Sequence, residues 1–273
     1  MNLATYLGKQ VLGILAGYQQ ENVVIHVCGV FIQADNSLKV YFPKGHQFSV
    51  GDRVTLHLDN RTGVDEFDAE ISVYRASYKG RVVSQEEEWL VVAPRECQLI
   101  HGMNVVLNIR EEGYQFPADD RPELPVPFTP LQQMPEPEAK DAINKVGVLI
   151  TMANEQPHTT VLAFLSSVDD DIFLITFPQM FKSSLLKRNP HCFFAMDERA
   201  HYTFERAIEW NYTIVEGEAF QVPTGSPLYE TIREEFIRKN PWEMGFFLQP
   251  DIEMYHIKRR QLVCSGSQGR CVN

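Results

Sequence analysis

A proline-rich, acidic segment near the middle of the chain separates two stretches, each long enough to bury a core of its own. Residues 113–140 hold seven of the 16 prolines of the 273-residue chain, together with five carboxylates. Such a composition favours an extended, solvated backbone over a packed core. We interpret the segment as a linker, or as a strap laid across one domain, between an N-terminal unit of residues 1–112 and a C-terminal unit of residues 141–273.

The N-terminal unit is rich in short runs in which apolar and polar residues alternate, a pattern typical of half-buried strands. We predict strands at residues 23–31, 38–42, 53–58, 67–75, 81–84, 89–93 and 104–109. Turn signals separate them at residues 35–36, 44–45, 60–63 and 79–80. The spacing indicates an all-β barrel or sandwich. A short amphipathic helix is predicted ahead of it from Leu3, Tyr6, Leu7 and Val11.

Residues 51–56, Gly-Asp-Arg-Val-Thr-Leu, and the run 67–75 resemble the later strands of a PilZ-type barrel. Active barrels of that family bind cyclic di-GMP through an Arg-x-x-x-Arg arm and an Asp/Asn-x-Ser-x-x-Gly strand. The nearest match here begins at Asp35, has Val40 in the place of the glycine, and follows no arginine pair. We therefore expect no cyclic di-GMP binding.

The C-terminal unit contains a strand, a polar turn and a short helix in residues 171–190. The apolar strand ends at Thr176, and Lys182 then enters a helical segment that Asn189 and Pro190 stop. Residues 212–220 alternate like a half-buried strand, and a helical run follows at residues 227–239. The first of these elements has the form of a corner that grips a phosphate.

This colinear order resembles the pyridoxamine 5′-phosphate oxidase-like, FMN-binding split barrels over residues 141–264. Together with the PilZ resemblance of the N-terminal unit, this implies a mainly β fold. The N-terminal unit would be a PilZ-like β-barrel, and the C-terminal unit an FMN-binding split β-barrel with a Gly/Ser-rich tail. The split-barrel resemblance also implies a homodimer, because split barrels of this family form the flavin pocket between two subunits. Trp210 would then lie near that interface.

The resemblance also implies which residues bind the cofactor. Lys182 takes the place of the phosphate-binding lysine, and Thr176 that of the threonine beside the ribityl phosphate. The strand at 159–164 is implied to run along the flavin ring, and Tyr212 to reach the flavin of a neighbouring subunit. The implied set is Thr159, Thr160, Val161, Leu162, Ile175, Thr176, Gln179, Lys182 and Tyr212.

The sequence also departs from this family. Phe181 stands where the oxidases carry an arginine directly before the lysine, and the arginine that opens the flavin strand is absent. The Trp and Arg-x-x-Pro-x-Pro ending that holds pyridoxamine phosphate is missing as well. Vitamin B6 oxidase activity is therefore not expected.

Three functions remain open for the C-terminal unit. The leading hypothesis is an FMN-dependent oxidoreductase or flavin-reductase-like protein that uses a small-molecule electron donor or acceptor. The main alternative is a non-catalytic flavin- or haem-binding sensory protein, in which haem is the less favoured cofactor. The third is a barrel whose pocket has decayed and which serves as a dimerisation scaffold.

No catalytic residue is assigned and no metal site is predicted. His158 and His201 are interpreted as structural or exposed histidines, and residues 169–171 as an acidic hairpin turn. The basic residues Arg75, Lys79 and Arg81, placed at a probable hairpin, and the tract 258–260 are interpreted as exposed charges.

The five cysteines are odd in number and scattered, unlike a disulfide framework. Cys28, Cys97 and Cys192 are interpreted as buried thiols. Cys264 and Cys271, seven residues apart in the tail, belong either to a mobile, uninvolved segment or to a redox pair.

The net charge of −11 disfavours nucleic-acid and anionic-membrane binding, both of which need a basic surface. No apolar run reaches the length of about 18 residues expected of a membrane helix. The first residues lack the pattern of a secretory signal. We therefore expect no membrane insertion and a cytoplasmic location.

Overall fold

The computed structural model describes residues 2–61, 72–102, 104–198, 208–265 and 270–271. Two antiparallel sheets make up most of it, so the mainly β fold is confirmed. The α-helices of the described residues are α1 (Ala4–Leu7), α2 (Phe181–Arg188) and α3 (Pro227–Lys239). His201 and most of the predicted strand at 67–75 lie outside the described residues.

The first sheet forms a closed barrel. Its strands are β1 (Gln10–Gln19), β2 (Asn22–Ile32), β3 (Leu38–Tyr41), β4 (Arg53–Asp59), β5 (Arg75–Gln85), β6 (Trp89–His101) and β7 (Asn104–Arg110). Their order is β3-β2-β1-β4-β5-β6-β7, and β3 also pairs with β6, which closes the first six strands on themselves. Alternate residues of these strands fill the barrel, as the period of two predicts.

The predicted turn at residues 79–80 is wrong, because β5 runs through both positions. A Cβ atom on Gly80 would lie 2.3 Å from Val92 Cγ1 and 2.8 Å from the Ala93 carbonyl oxygen. Glycine is required here because β6 passes close by, and the ladder shifts register between Lys79 and Gly80. A glycine of this kind looks like a turn signal in the sequence.

The basic residues around this glycine are likewise not on an exposed hairpin. Lys79 is buried, and its ammonium lies 3.1 Å from Glu96 Oε1. Arg75 Nε donates to Asp59 at 3.1 Å, whereas Arg81 is exposed. The expected pairing with carboxylates is confirmed for Arg75 and Lys79, but their exposure is not.

The second sheet is open and curls into a half-barrel. Its strands are β8 (Val146–Thr151), β9 (His158–Ala163), β10 (Leu165–Ser166), β11 (Ile172–Thr176), β12 (His191–Asp197), β13 (Tyr212–Val222), β14 (Glu253–Ser265) and β15 (Arg270–Cys271). The main path is β10-β11-β14-β13-β12-β8-β9, and β15 pairs with β14. The strand β9 is therefore an edge strand, which has β8 as its neighbour.

Short 3-10 helices at Ala139–Ala142, Ile208–Asn211 and Pro241–Leu248 connect these elements. The predicted hairpin turn at residues 169–171 is confirmed between β10 and β11, where Asp170 has a φ of 61°. The helix α3 has the predicted bounds, with Ser226 as its N-cap. None of the described helices is long and apolar enough to span a membrane.

The proline-rich segment crosses the second sheet and is pinned to it at several points. Phe128 forms a parallel bridge with Gln221 of β13. The hydroxyl of Thr129 lies 2.8 Å from Nδ1 of His256, a fully buried residue of β14. These contacts favour the strap over the free linker. We call residues 113–138 the strap from here on.

An apolar layer joins the first barrel to the second sheet. The first barrel contributes Ile14, Ala16 and Val27, which pack in one cluster with residues of β8, β12 and β13. Polar contacts border it: Thr55 Oγ1 donates to the Pro157 carbonyl at 2.6 Å, and Tyr18 Oη donates to that of Ala153 at 2.7 Å. The two sheets are thus packed face to face by the same chain.

Candidate functional site

The predicted corner of strand, turn and helix is confirmed. β11 ends at Thr176, a turn follows, and α2 begins at Phe181, so Lys182 lies in the first turn of the helix. The helix ends before Asn189 and Pro190, as expected from the proline stop. Lys182 thereby faces the region where α2 meets β9.

Lys182 is a half-buried cation for which no hydrogen bond or ion pair is found in the described part of the chain. Burial lowers the pKa of its ammonium, because the charged form has lost water without gaining a partner. The N-cap residue Met180 is extended, and no described side chain caps the helix. The amide groups of the first turn and the ammonium together favour an anion at this point.

Phe181, the residue before Lys182, belongs to a cluster of three aromatic rings. The rings of Phe116, His158 and Phe181 pack edge to face, with centroid separations of 5.0 to 5.7 Å. Phe181 is 42% exposed, so the cluster presents an open aromatic surface. Phe181 thus supplies apolar surface at the position where the resemblance implies an arginine. We call the group of Phe116, His158, Thr160, Phe181 and Lys182 the β9–α2 niche.

His158 is neutral in this setting. Burial, followed by the charges of Lys79 and Lys182, lowers the pKa of its imidazole to about 3. Its Nδ1 lies 3.3 Å from the hydroxyl of Thr160. A neutral imidazole can donate one hydrogen bond and accept another, but it does not repel a neighbouring cation.

The edge strand β9 borders the niche with one open side. Among the described strands it pairs with β8 alone, so its other edge carries backbone N–H and C=O groups without a strand partner. Thr159 and Val161 face the first barrel, where Thr159 Oγ1 lies 3.1 Å from Ser77 Oγ. Thr160 and Leu162 point to the opposite face.

The structure brings only part of the predicted set together. Lys182 and Thr160 belong to the niche, and the backbone of Thr159, Thr160, Val161 and Leu162 forms its edge. Gln179 is exposed in the turn before α2. Ile175 packs in the layer beneath α3.

Two further predicted residues are buried elsewhere. Thr176 is 4% exposed, and its hydroxyl is 3.5 Å from the carbonyl of Phe177, too long for a strong hydrogen bond. Tyr212 is 2% exposed and lies in the apolar layer with Ile14 and Ala16 of the first barrel. In the position expected to meet a neighbouring subunit, Tyr212 therefore meets another part of its own chain.

Sequence reasoning missed three members of the niche. His158 was expected to be structural or exposed, and Phe181 was treated only as a departure from the family pattern. Phe116 lies in the strap, 42 residues before His158, and no local pattern links the two. Only the path of the strap across the sheet brings Phe116 to the niche.

The remaining charged tracts pair with one another. Arg259 donates to Asp170 at 2.6 Å and Arg260 to Glu218 at 2.7 Å. His256 Nε2 lies 3.0 Å from Asp171 Oδ1. Within the described ranges, no three His, Cys, Asp or Glu side chains are grouped to hold a metal ion.

Three of the cysteines are placed as predicted, and Cys264 is not. Cys28, Cys97 and Cys192 are buried free thiols, as predicted. Cys264 is a buried residue of β14, so the prediction that it belongs to a mobile tail is wrong. In the β14–β15 pair, the backbone of Cys264 stands opposite that of Cys271.

No family model and no curated protein matches the chain. Solved structures resemble part of its fold. A protein of unknown function from Agrobacterium tumefaciens is 12% identical over 45% of this chain and 52% of its own, with a TM-score of 0.39. HutZ, the heme storage protein from Vibrio cholerae, is 15% identical over 46% and 92%, with a TM-score of 0.38. An FAD-binding protein from Mesorhizobium loti is 16% identical over 44% and 82%, with a TM-score of 0.35. This chain thus spans about half the length of the Agrobacterium protein.

Proposed function

We propose that this chain binds FMN in the β9–α2 niche and acts as a flavin-dependent oxidoreductase or flavin-reductase-like protein. One observation carries the proposal: the ammonium of Lys182 is half-buried at the start of α2 with no carboxylate beside it among the described residues. A desolvated cation without a partner costs free energy, and a bound phosphate would recover it. The resemblance over residues 141–264 supports the same assignment.

The residues of the niche fit the two halves of FMN. Lys182 and the first amide groups of α2 suit the phosphate dianion. The rings of Phe116 and Phe181 suit the flat isoalloxazine, and the open edge of β9 offers donors and acceptors to its polar edge. His158, held neutral, adds one more hydrogen-bonding group.

The role of the protein in this proposal is to bind, orient and shield. FMN, when bound, supplies the electron transfer itself. The first barrel covers one side of β9 through the contact between Ser77 and Thr159, which excludes water from that side of the strand. Phe181 leaves the other side open to a small-molecule electron donor or acceptor.

The test is an FMN titration of the purified protein, followed by flavin fluorescence. We expect Lys182→Ala to weaken binding by about 1–3 kcal/mol, roughly 5- to 150-fold in Kd, because one charge-assisted bond is lost. The control is Lys258→Ala, which removes an exposed lysine of β14 and should leave the affinity unchanged. Equal effects of the two variants would remove Lys182 from the site.

Spectra separate the competing functions. Protein that stays colourless and ignores added FMN would contradict the proposal, and a Soret band after addition of haemin alone would favour a haem protein. Bleaching of bound FMN by NADH or NADPH would support an enzyme. Bound FMN that resists both reductants would favour the sensory alternative.

A further inference from the structure

A crevice of about 560 Å³ lies between the first barrel and the second sheet. One wall is the first half of β2 with the loop that follows β3, and the other is formed by β12, β13 and β14. None of the residues of the β9–α2 niche lines it. Its volume is within the range of small-molecule sites, about 300–1,000 Å³.

The β2 wall has an open strand edge. The strand β3 pairs with β2 only from Gly29 to Ile32, whereas β1 pairs with β2 along its whole length. In the described chain, residues 22–28 of β2 therefore have one edge without a strand partner. Backbone N–H and C=O groups on such an edge are available to a ligand.

His26, on this part of β2, is partly buried, and no hydrogen bond to either of its ring nitrogens is found among the described residues. The rings of Phe42 and Phe48 pack against it at centroid distances of 5.2 and 5.9 Å. Burial, and then the proximity of His46, lowers the pKa of His26 to about 4. The neutral imidazole lines the crevice and can donate one hydrogen bond and accept another. No group of the described chain occupies either nitrogen.

The neighbouring His46 shows the contrast. Its Nε2 lies 2.8 Å from the Glu86 carbonyl oxygen, and its Nδ1 accepts from the Phe48 amide at 3.1 Å. Both of its nitrogens are thus occupied by backbone groups of the first barrel. His26 thus differs from His46, because of the two residues only His26 has ring nitrogens for which no hydrogen-bond partner is found in the described part of the chain.

The rest of the lining combines apolar, paired and solvent-exposed groups. Phe193 and Val263 of the second sheet are apolar groups of the opposite wall. At the rim, Lys44 lies 3.3 Å from Glu209, and Glu216 lies 2.8 Å from His191. The polar side chains of Gln47 and Glu87 also line the crevice and are exposed. Among the described residues, the crevice therefore lacks a free cation of the kind that Lys182 provides in the niche.

We propose that this crevice is a second ligand site, which takes a planar heteroaromatic molecule without a phosphate group. Its ring would lie between the apolar walls, and its donor–acceptor edge would bond to β2 and to His26. A phosphorylated ligand is disfavoured because Glu216 and Glu87 line the crevice and, in the described part of the chain, no unpaired cation does. The site is independent of FMN binding in the niche.

The experiment is a fluorescence titration of the full-length protein with lumichrome and riboflavin, and a calorimetric titration with adenosine. Each is a planar heteroaromatic compound without phosphate. We expect saturable binding of at least one of them at or below about 1 mM. Binding should weaken about tenfold or more in His26→Leu, which keeps the shape but removes both nitrogens.

A second variant fills the crevice without touching a core. Gln47 is an exposed residue of its rim, and Gln47→Trp should abolish binding of the same probe while the melting temperature is unchanged. Phe181→Ala, which removes a ring of the β9–α2 niche, should leave probe binding intact, and His26→Leu should leave FMN binding intact, which separates the two sites. If His26→Leu does not fold, the Gln47→Trp result decides.

Three results would overturn the proposal. The first is no binding of lumichrome, riboflavin or adenosine to the wild type. The second is binding that survives Gln47→Trp, or survives a folded His26→Leu variant. The third is probe binding that disappears in Phe181→Ala, which would place the probe in the niche. Binding of haemin alone, with a Soret band that depends on His26, would assign the crevice to a tetrapyrrole instead.

Discussion

Burial acts in the same direction on the two titratable residues of the β9–α2 niche. It lowers the pKa of Lys182 and of His158, because both lose solvation in their charged forms. His158 becomes neutral, whereas at Lys182 burial weakens the preference for the charged form. An anion next to Lys182 would raise the pKa of that ammonium again. The niche is thus prepared for negative charge at one residue only.

His158 should contribute to acid lability. Its pKa is about 3 in the folded chain and about 6.5 when unfolded, so the unfolded chain binds more protons between these values. The free energy of unfolding therefore falls as pH falls from about 7 towards 3. Between pH 7 and pH 4, the free energy of unfolding of His158→Gln should fall by on the order of 2 kcal/mol less than that of the wild type. Urea unfolding at the two pH values measures the difference.

The control for this prediction is His101→Gln, which changes an exposed histidine at the end of β6. Its acid profile should match that of the wild type. If both variants lose the same free energy of unfolding as the wild type between pH 7 and pH 4, His158 is not the residue responsible.

At the scale of elements, close approach between strands determines one position that looks like a turn signal in the sequence. β5 is continuous through Gly80, because a side chain there would collide with Val92 and the Ala93 carbonyl of β6. The same strand carries Tyr78 inward and Arg81 outward, as the alternation of a strand requires. The sequence pattern thus predicts a separate strand at 81–84 and misses residues 76–80 of β5.

Gly80→Ala should destabilise the first barrel. Its Cβ would meet backbone as well as side chain, so we expect a loss of about 1–3 kcal/mol in the free energy of unfolding. Gly245→Ala is the matched control, since no atom lies within 4 Å of a Cβ at that position. Denaturant midpoints give the comparison. Equal midpoints for the two variants would show that β6 moves aside freely.

The strap is an element without regular structure whose position depends on a few side chains. Thr129 binds a histidine of β14 that is fully buried, and Phe128 pairs with β13 beside it. Because a buried imidazole needs its partners, this contact holds the strap more firmly than its exposed prolines suggest.

Thr129→Val should release this part of the strap. The change keeps the shape but leaves His256 Nδ1 unpaired, at a cost of about 1–2 kcal/mol. Limited proteolysis should then cut within residues 113–138 faster than in the wild type. Thr231→Val, on the exposed face of α3, is the control and should not change the cutting rate. Unchanged cutting in Thr129→Val would mean that other contacts suffice.

At the scale of the molecule, the apolar layer couples the first barrel to the second sheet. The wall that the resemblance assigns to a second subunit is occupied by the same chain, since Tyr212 packs with Ile14 and Ala16. The homodimer remains a prediction. The first barrel covers the face of β9 opposite Thr160, through the contact between Ser77 and Thr159.

Ala16→Glu should uncouple the two parts. The carboxylate would enter the apolar layer without a partner, which costs several kcal/mol. We expect one calorimetric transition in the wild type and two in the variant. Val105→Glu, at a position that is 55% exposed on β7, should keep the single transition. One sharp transition in Ala16→Glu would show that the layer does not provide the coupling.

The sequence by itself determined the local elements of this protein. Apolar periodicity and the proline stop predicted α2, α3, the acidic turn and most strands, because each of these depends on residues close in the chain. The same pattern placed Lys182 after a strand and before the proline stop, whereas its phosphate-binding role was implied by the resemblance to the split barrels.

Only the tertiary structure decided what surrounds those elements. Thr55 meets Pro157 across 102 positions, and Ser77 meets Thr159 across 82, and no local pattern encodes such pairs. The absence of a partner for Lys182 within the described chain, the neutrality of His158 and the crevice at His26 all follow from this packing. Burial and electrostatics are sums over neighbours in space, so they become known only when the chain has been folded.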